Sequence, residues 1–580
     1  MAIYFTLFAH RVGLLAGLLF GLASVTRAQA PGWQAVVLAA PTNTTSTASV
    51  TATTTDASGN VYIAGYFTGT AALSGTVLSS TGLGQYNAFV AKWSPVTQSV
   101  MWVRQTSGTG NTRVTGLATT GNQVYATGYF NGATTFGGAA LTSAGNDDIF
   151  ITKLTDAGSS AAFTWAYRAG GNGSDQANSL AVIGSAVYVT GFFADAATFG
   201  SATYTSGGPR DGFLFRLTDA GSSATFTWTL PVGGADWDYV SNVVAQGNSV
   251  YVAGSFKGAV AFGNLSLPDS GQYGLFLAKL TDAGSSATYN WVQQAQASSR
   301  GKMVPAALAV QGSQVYVGGC FSGTAAFGAI SLPNTTTGIA NTWATDAFVA
   351  KLTDTGTAAT YVWAQGAGGS DSDVVNTLAV RGTSVYIAGG IGNTASFGST
   401  ILIVPSYSSD AYVAKLTDAG STASFAWAVR AGGSDADGVL SLALGSTAVY
   451  VGGYMSSVAT FGSQAVGTAG VGGTGFLTSL PDATGLATTG AAAITTRVAL
   501  FPIPTPSCTL ATVQLPAGPA ASEATLTLLD AVGRVVRTRT MPVAAGSQRV
   551  IFDVAGLAPG VYALHVATGE RLGTARLVVE

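Results

Sequence analysis

Between residues 31 and 481, short apolar stretches alternate with stretches rich in Gly, Ser, Thr and Asn, and no 3.6-residue periodicity runs between them. The most faithful apolar phrase is VYIAG at 61–65. It returns as VYATG (124–128), VYVTG (187–191), VYVAG (250–254), VYVGG (315–319), VYIAG (385–389) and VYVGG (449–453). The seven tyrosines stand 63, 63, 63, 65, 70 and 64 residues apart. Val, Tyr and Ile suit a pleated, half-buried surface, so each copy predicts a strand. The Gly three places after each Tyr predicts a bend or a close backbone approach.

Each unit reads as four strands. In the second unit they fall near 113–119, 123–130, 148–154 and 163–168. A tight turn at Gly121-Asn122 joins the first two, and a longer connection containing T-F-G (135–137) joins the second to the third. The phrase LTDAGSSA occupies 154–161, 217–224 and 280–287, with variants LTDTGTAA at 352–359 and LTDAGSTA at 416–423. It falls between the third and fourth strands. Asp opening a tight turn bonds the backbone two residues on, and Gly supplies positive φ, so a hairpin turn accounts for D-A-G without a ligand. An anion cradle would need a following helix or Lys, and neither is there.

Seven such units predict an all-β fold, a seven-bladed β-propeller of four-stranded blades over residues 31–481. One blade exposes two apolar faces, and stacking around an axis covers both. The alternative, a β-helix or open solenoid, usually has rungs far shorter than 63 residues. Trp102, Trp165, Trp228, Trp291, Trp363 and Trp427 mark fourth strands, and Trp33 reads as the seventh. The last unit stops after its third strand, GFLTSL at 475–480. The strand near Trp33 is therefore expected to complete the last blade and remove an open edge. A meander sorts its connections: the 1–2 and 3–4 turns share one end, and the longer 2–3 and 4–1 loops share the other. That second end is the candidate functional face.

Composition narrows the chemistry. Of 580 residues 9% are charged, and the net charge is −2, so no basic footprint for nucleic acid exists. The two histidines are His10 and His565, which leaves no His for a triad or a zinc site between them. Cys320 and Cys508 could pair, though nothing requires it; Cys320 reads as a packed thiol. Residues 1–30 combine Arg11, an apolar run and A-Q-A, the pattern of a signal peptide. No later apolar run is long enough to cross a membrane.

Two resemblances follow from these motifs. VYVxG, then FG, then DAFVAKL (346–352) or DAYVAKL (410–416), then W, resembles the bacterial seven-bladed β-propeller repeat (SBBP-like) proteins. It covers about residues 31–480 and implies a fold and an extracellular setting, but no reaction. The first unit departs, with AKWSP at 91–95. Beyond an Ala/Thr-rich linker (482–497) come VALFPIPTP (498–506), LTLLDAVGRVVRT (526–538), VAGLAPGVYALHVATG (554–569) and TARLVVE (574–580). These resemble the type A C-terminal sorting domain of the type IX secretion system of Bacteroidetes-like bacteria. Pro502-Ile503-Pro504 stands where that family has P-N-P. The resemblance implies a small β-sandwich at 498–580, recognition by the type IX secretion machinery, and a secreted or outer-membrane surface location.

The 4–1 loops carry acidic pairs: Asp236 and Asp238, Asp371 and Asp373, Asp435 and Asp437, with Asp175 alone in its loop. Paired carboxylates can bind Ca²⁺, do acid–base work on glycans, or bond loop N–H groups. Repetition favours the last, because a catalytic pair need occur only once. Trp237 and Trp343 break the repeat on the candidate face; such planes bind sugars or cap a blade. Lys153, Lys279, Lys351, Lys415 and Arg216 recur in register and read as solvated strand ends. The expectation is an exported binding or scaffold protein with a polysaccharide or protein ligand, no cofactor and no catalytic constellation. A glycan-active enzyme using loop carboxylates and a purely structural adhesin are the alternatives.

Overall fold

The computed structural model describes residues 30–80, 82, 84–269, 271–298, 301–335, 344–405, 408–469, 472–482, 499–501, 510–518, 522–530, 535–543, 546–568 and 571–579. Residues 1–29 of the signal-peptide segment, 483–497 of the linker, Trp343 and Cys508 lie outside them. Among the described residues there is no helix, and the sheets pair antiparallel. The chain divides into two compact units after Thr484.

In the larger unit the second repeat has strands Thr112–Thr120, Gln123–Phe130, Asp148–Asp156 and Ala161–Gly171, paired in sequence order. The first strands of the seven repeats are Ala48–Thr55, Thr112–Thr120, Gln176–Ile183, Tyr239–Gln246, Met303–Gln311, Val374–Arg381 and Asp437–Leu444. Each lies beside the next, and the last lies beside the first. Residues of all seven line one cavity of about 260 Å³, among them Thr51, Thr115, Asn178, Asn242, Asn376 and Ser441. The Gly of each VYxxG phrase marks a β-bulge. The ladder shifts register between Thr127 and Gly128, and a Cβ on Gly128 would strike the carbonyl oxygen of Arg113.

The 2–3 connection is more than a loop. T-F-G turns a hairpin of Ala133–Phe136 and Ala139–Thr142, with Gly137 at φ 61°. In the third repeat the equivalent strand, Ala196–Phe199, pairs with Gly170 and Gly171 at the end of the previous repeat's fourth strand. The same join recurs at Gln296–Ala326, Gly368–Ser396 and Gly432–Thr460. Each outer edge is thus partly covered by its successor. The four-residue Ala/Thr strands are too short and too weakly apolar for their sequence to announce them.

Packing runs between repeats rather than within them. Tyr125, Ile149 and Trp165 of the second repeat share a core with Val187, Phe213 and Phe215 of the third. Tyr450 and Leu477 share one with Val61, Ile63 and Phe89. Val37–Pro41 pairs with Thr474–Pro481, Val37 opposite Leu477, and with Thr70–Leu73 on its other side.

Trp33 is not the seventh copy of the fourth-strand Trp. Phe150 faces Arg168 and Phe476 faces Leu38, so Ala35 takes the place of Trp165 and Trp33 that of Phe163. Accordingly Trp33 meets Phe461 edge-on at 5.4 Å, as Phe163 meets Phe136 at 5.8 Å. Its Nε1 donates to the carbonyl of Arg430. The bulge between Lys153 and Leu154 turns Phe163 to the face opposite Trp165, so the Trp33 indole packs against Tyr386 and Trp427 of the sixth repeat.

The smaller unit has a three-stranded sheet (Ala499–Phe501, Leu510–Gly518, Gly546–Asp553) and a four-stranded one (Ser522–Leu529, Val535–Val543, Gly560–Thr568, Arg571–Val579). Phe552 and Val554 pack with Leu526, Leu528 and Leu564.

Candidate functional site

Lys153, Lys279 and Lys351 are buried, and Lys415 and Arg216 half-buried, which corrects the expectation of solvated strand ends. Lys153 Nζ lies 2.6 Å from Asp219 Oδ2, the Asp of the next repeat's LTDAG turn. Tyr125 donates to the same oxygen at 2.6 Å. Trp165 Nε1 and the Gly221 N–H donate to Oδ1 at 3.1 and 3.0 Å. Three side chains of one repeat therefore converge on one carboxylate of its successor. The arrangement recurs with Tyr62, Lys92 and Trp102 on Asp156, and with Tyr188, Arg216 and Trp228 on Asp282. It recurs again with Tyr251, Lys279 and Trp291 on Asp354, and with Tyr316, Lys351 and Trp363 on Asp418. Burial pushes the Asp219 pKa up, but the bonds from Lys153 and Tyr125 outweigh it and hold it below the usual carboxylate range.

The sixth junction varies the scheme: Arg381 and Tyr386 donate to Asp482, and burial lowers the pKa of Lys415, which sits over the Tyr386 ring. At the seventh, Ser479 and Pro95 occupy the Lys and Asp places, and Tyr450 meets Trp93 edge-on at 6.0 Å. These groups therefore bond each repeat to its successor at this end of the molecule.

The loop end is different. The second Asp of each pair turns inward. Asp238 accepts the N–H groups of Gly234 and Lys257, Asp373 those of Gly369 and Gly392, and Asp437 those of Gly433 and Ser456. Asp175 does the same with Gly171 and Ala194. All four are buried. The first Asp of each pair stays at the surface: Asp371 accepts from the Ser372 N–H, and Asp435 from the Ser434 hydroxyl. The two carboxylates of a pair thus do not converge on a substrate. Among the described residues, no group of three or more His, Cys, Asp or Glu could hold a metal ion.

Asp236 pairs with Lys257 at 3.2 Å. Next to it Trp237 is 40% exposed. The Arg210 guanidinium lies 4.9 Å from the Trp237 ring and 4.3 Å from that of Phe192, and Lys257 lies 6.0 Å from Tyr273. Together these form an exposed aromatic plane beside a guanidinium and an ion pair, on rigid strand ends. Arg210, Lys257 and Tyr273 escaped sequence reasoning. The position of Arg210 immediately before a third strand was the available signal.

Comparison with known proteins places residues 500–580 in the family described as the secretion system C-terminal sorting domain. The protein therefore carries a type IX sorting domain at its C-terminal side and is exported to a secreted or cell-surface location. No curated protein matches the chain. Among solved structures, a protein of unknown function from Dyadobacter fermentans is 11% identical, with a TM-score of 0.35 over 78% of this chain and 100% of its own. A fungal AA5-family alcohol oxidase in complex with copper is 11% identical, with a TM-score of 0.32 over 95% of this chain and 100% of its own. Likenesses that weak carry no argument. No helix among the described residues is long and apolar enough to cross a membrane.

Proposed function

We propose that residues 31–481 form a seven-bladed β-propeller joined through 482–497 to a sorting β-sandwich at 498–580, and that the exported protein binds polysaccharide on its loop end. Support for the propeller comes from seven four-stranded repeats whose first strands neighbour in cyclic order around one cavity. The binding reading rests on Trp237, a half-exposed indole flanked by Arg210 and the Asp236–Lys257 pair. Apolar sugar faces stack on such a ring while hydroxyls bond the charged rim.

The test is a glycan array, followed by calorimetry, on the exported chain and its Trp237→Ala variant. Removing an aromatic anchor costs about 2 kcal/mol, roughly a thirtyfold loss of affinity. Equal binding by the variant would overturn the reading.

A further inference from the structure

Eight aspartates at the loop end form four buried pairs that ligand binding leaves unused. Asp148, Asp211 and Asp346 open third strands and Asp410 is the second residue of Ser409–Asp418; their partners are Asp175, Asp238, Asp373 and Asp437. Strand register identifies the same two positions in the other three repeats. They hold Asn87 with Thr112, Gly274 with Met303, and Thr474 with Ala48. Acids therefore occur at both positions or at neither. Two like charges in a dry site repel, so a merely tolerated acid would not bring a second one with it.

All four pairs share one gap in their hydrogen bonding. In the first, Asp148 Oδ2 accepts the Ala144 N–H and Arg168, and Asp175 uses both oxygens for backbone N–H groups. The Oδ1 atoms of Asp148, Asp211, Asp346 and Asp410 are buried and accept nothing. Asp148 Oδ1 and Asp175 Oδ2 lie 2.7 and 2.8 Å from the single point a Cβ on Gly170 would take. A carboxylic acid proton fills this gap and removes a charge as well.

We propose that each of the four pairs holds one shared proton under mildly acidic conditions, a carboxyl–carboxylate hydrogen bond tying a third strand to the loop that follows the fourth. The proton comes from and returns to water, and no heavy-atom bond changes. Facing the first pair are Asp147, Asp195 and Arg168. Asp236, itself paired with Lys257, faces the second, and Asp371 and the Tyr412 hydroxyl face the third. Asp435, Arg430 and Tyr454 face the fourth. The cations bonded to these pairs, Arg168 and Arg430, contact the third-strand member. In the first and fourth pairs the guanidinium favours the ionised form of that member against its burial, which leaves the proton there to the loop Asp.

Burial, with the neighbouring carboxylate, raises Asp175 to about 6, Asp238 and Asp437 to about 7, and Asp373 to about 8. An unfolded Asp titrates near 3.9. The stabilisation is therefore complete below that value and is lost as pH rises through 6 to 8.

The test is the urea midpoint of the full exported chain at half-unit steps from pH 5 to 9, with EDTA or with added CaCl₂. The expected result is a midpoint that falls from pH 5, where unfolding releases close to one proton per pair, and levels off above about pH 8 as the pairs lose their protons. Asn at 175, 238, 373 and 437 supplies an amide donor in place of the acid proton and is expected to flatten the profile. Asp373→Asn alone, expected to remove one proton from the slope, serves if the fourfold variant does not fold. A flat or rising wild-type profile overturns the proposal, as does an unchanged slope in the Asn variants. A saturable rise of the midpoint with Ca²⁺ above pH 7, lost in those variants, would also overturn it by assigning the pairs to a cation.

Discussion

Replacing Asp354 with Ala should test the junction network most severely. Asp354 is buried, and its Oδ2 receives Lys279 at 2.5 Å and Tyr251 at 2.8 Å. Its Oδ1 receives Trp291 at 2.9 Å and the Gly356 N–H at 2.8 Å. The variant leaves the Lys279 ammonium in a site where its side chain is 11% exposed. Breaking one side of a buried ion pair costs about 3–5 kcal/mol, because the remaining charge has no partner. The stranded indole and phenol donors add about 1–3 kcal/mol, less than additively. The expected loss is thus about 4–6 kcal/mol, read as a lower urea midpoint. Chemical denaturation followed by tryptophan fluorescence measures it. Lys279→Met in the same background removes the stranded charge and should recover more than half of the loss. A loss below about 1 kcal/mol, or no recovery in the double variant, would refute the view that this carboxylate bonds adjacent repeats.

Two further outcomes follow from other elements. Deleting residues 31–41 removes Trp33 from its buried place and Val37–Pro41 from between two strands; the melting temperature followed by circular dichroism should drop by roughly 10 °C or more. On the acid side, Asp56, Asp156, Asp219, Asp354 and Asp418 titrate below the usual carboxylate range, because hydrogen-bond donors more than offset their burial. Their contribution is present above the unfolded value near 3.9 and is lost as pH falls through their depressed values, so calorimetry should show stability collapsing below about pH 4.

How much of this the chain announces depends on distance along it. The strands were legible because VYxxG must solve the same packing problem seven times. The turn role of LTDAG was legible because Asp156 bonds the Gly158 N–H only two residues away. The inward role of the same Asp was not, since Tyr62 and Trp102 reach it from 94 and 54 residues back. A local reading sees three unrelated repeats and assigns each a local purpose. The clue lay in what is missing together: Lys gives way to Ser479 at the one junction where Asp gives way to Pro95. The acidic loops were misgrouped for a similar reason. Asp236 and Asp238 are near neighbours in sequence, yet the true partner of Asp238 is Asp211, which faces it from a separate strand.

The bond from Thr478 to the carbonyl of Gln34 spans 444 residues. A segment emerging early from the ribosome therefore waits, edge bare, for one that emerges late. The export address at 500–580 lies later still. A polypeptide broken off anywhere before that point lacks its shipping label, and one broken before 474 also lacks the piece that covers its own beginning. Only chains long enough to finish themselves can be sent out.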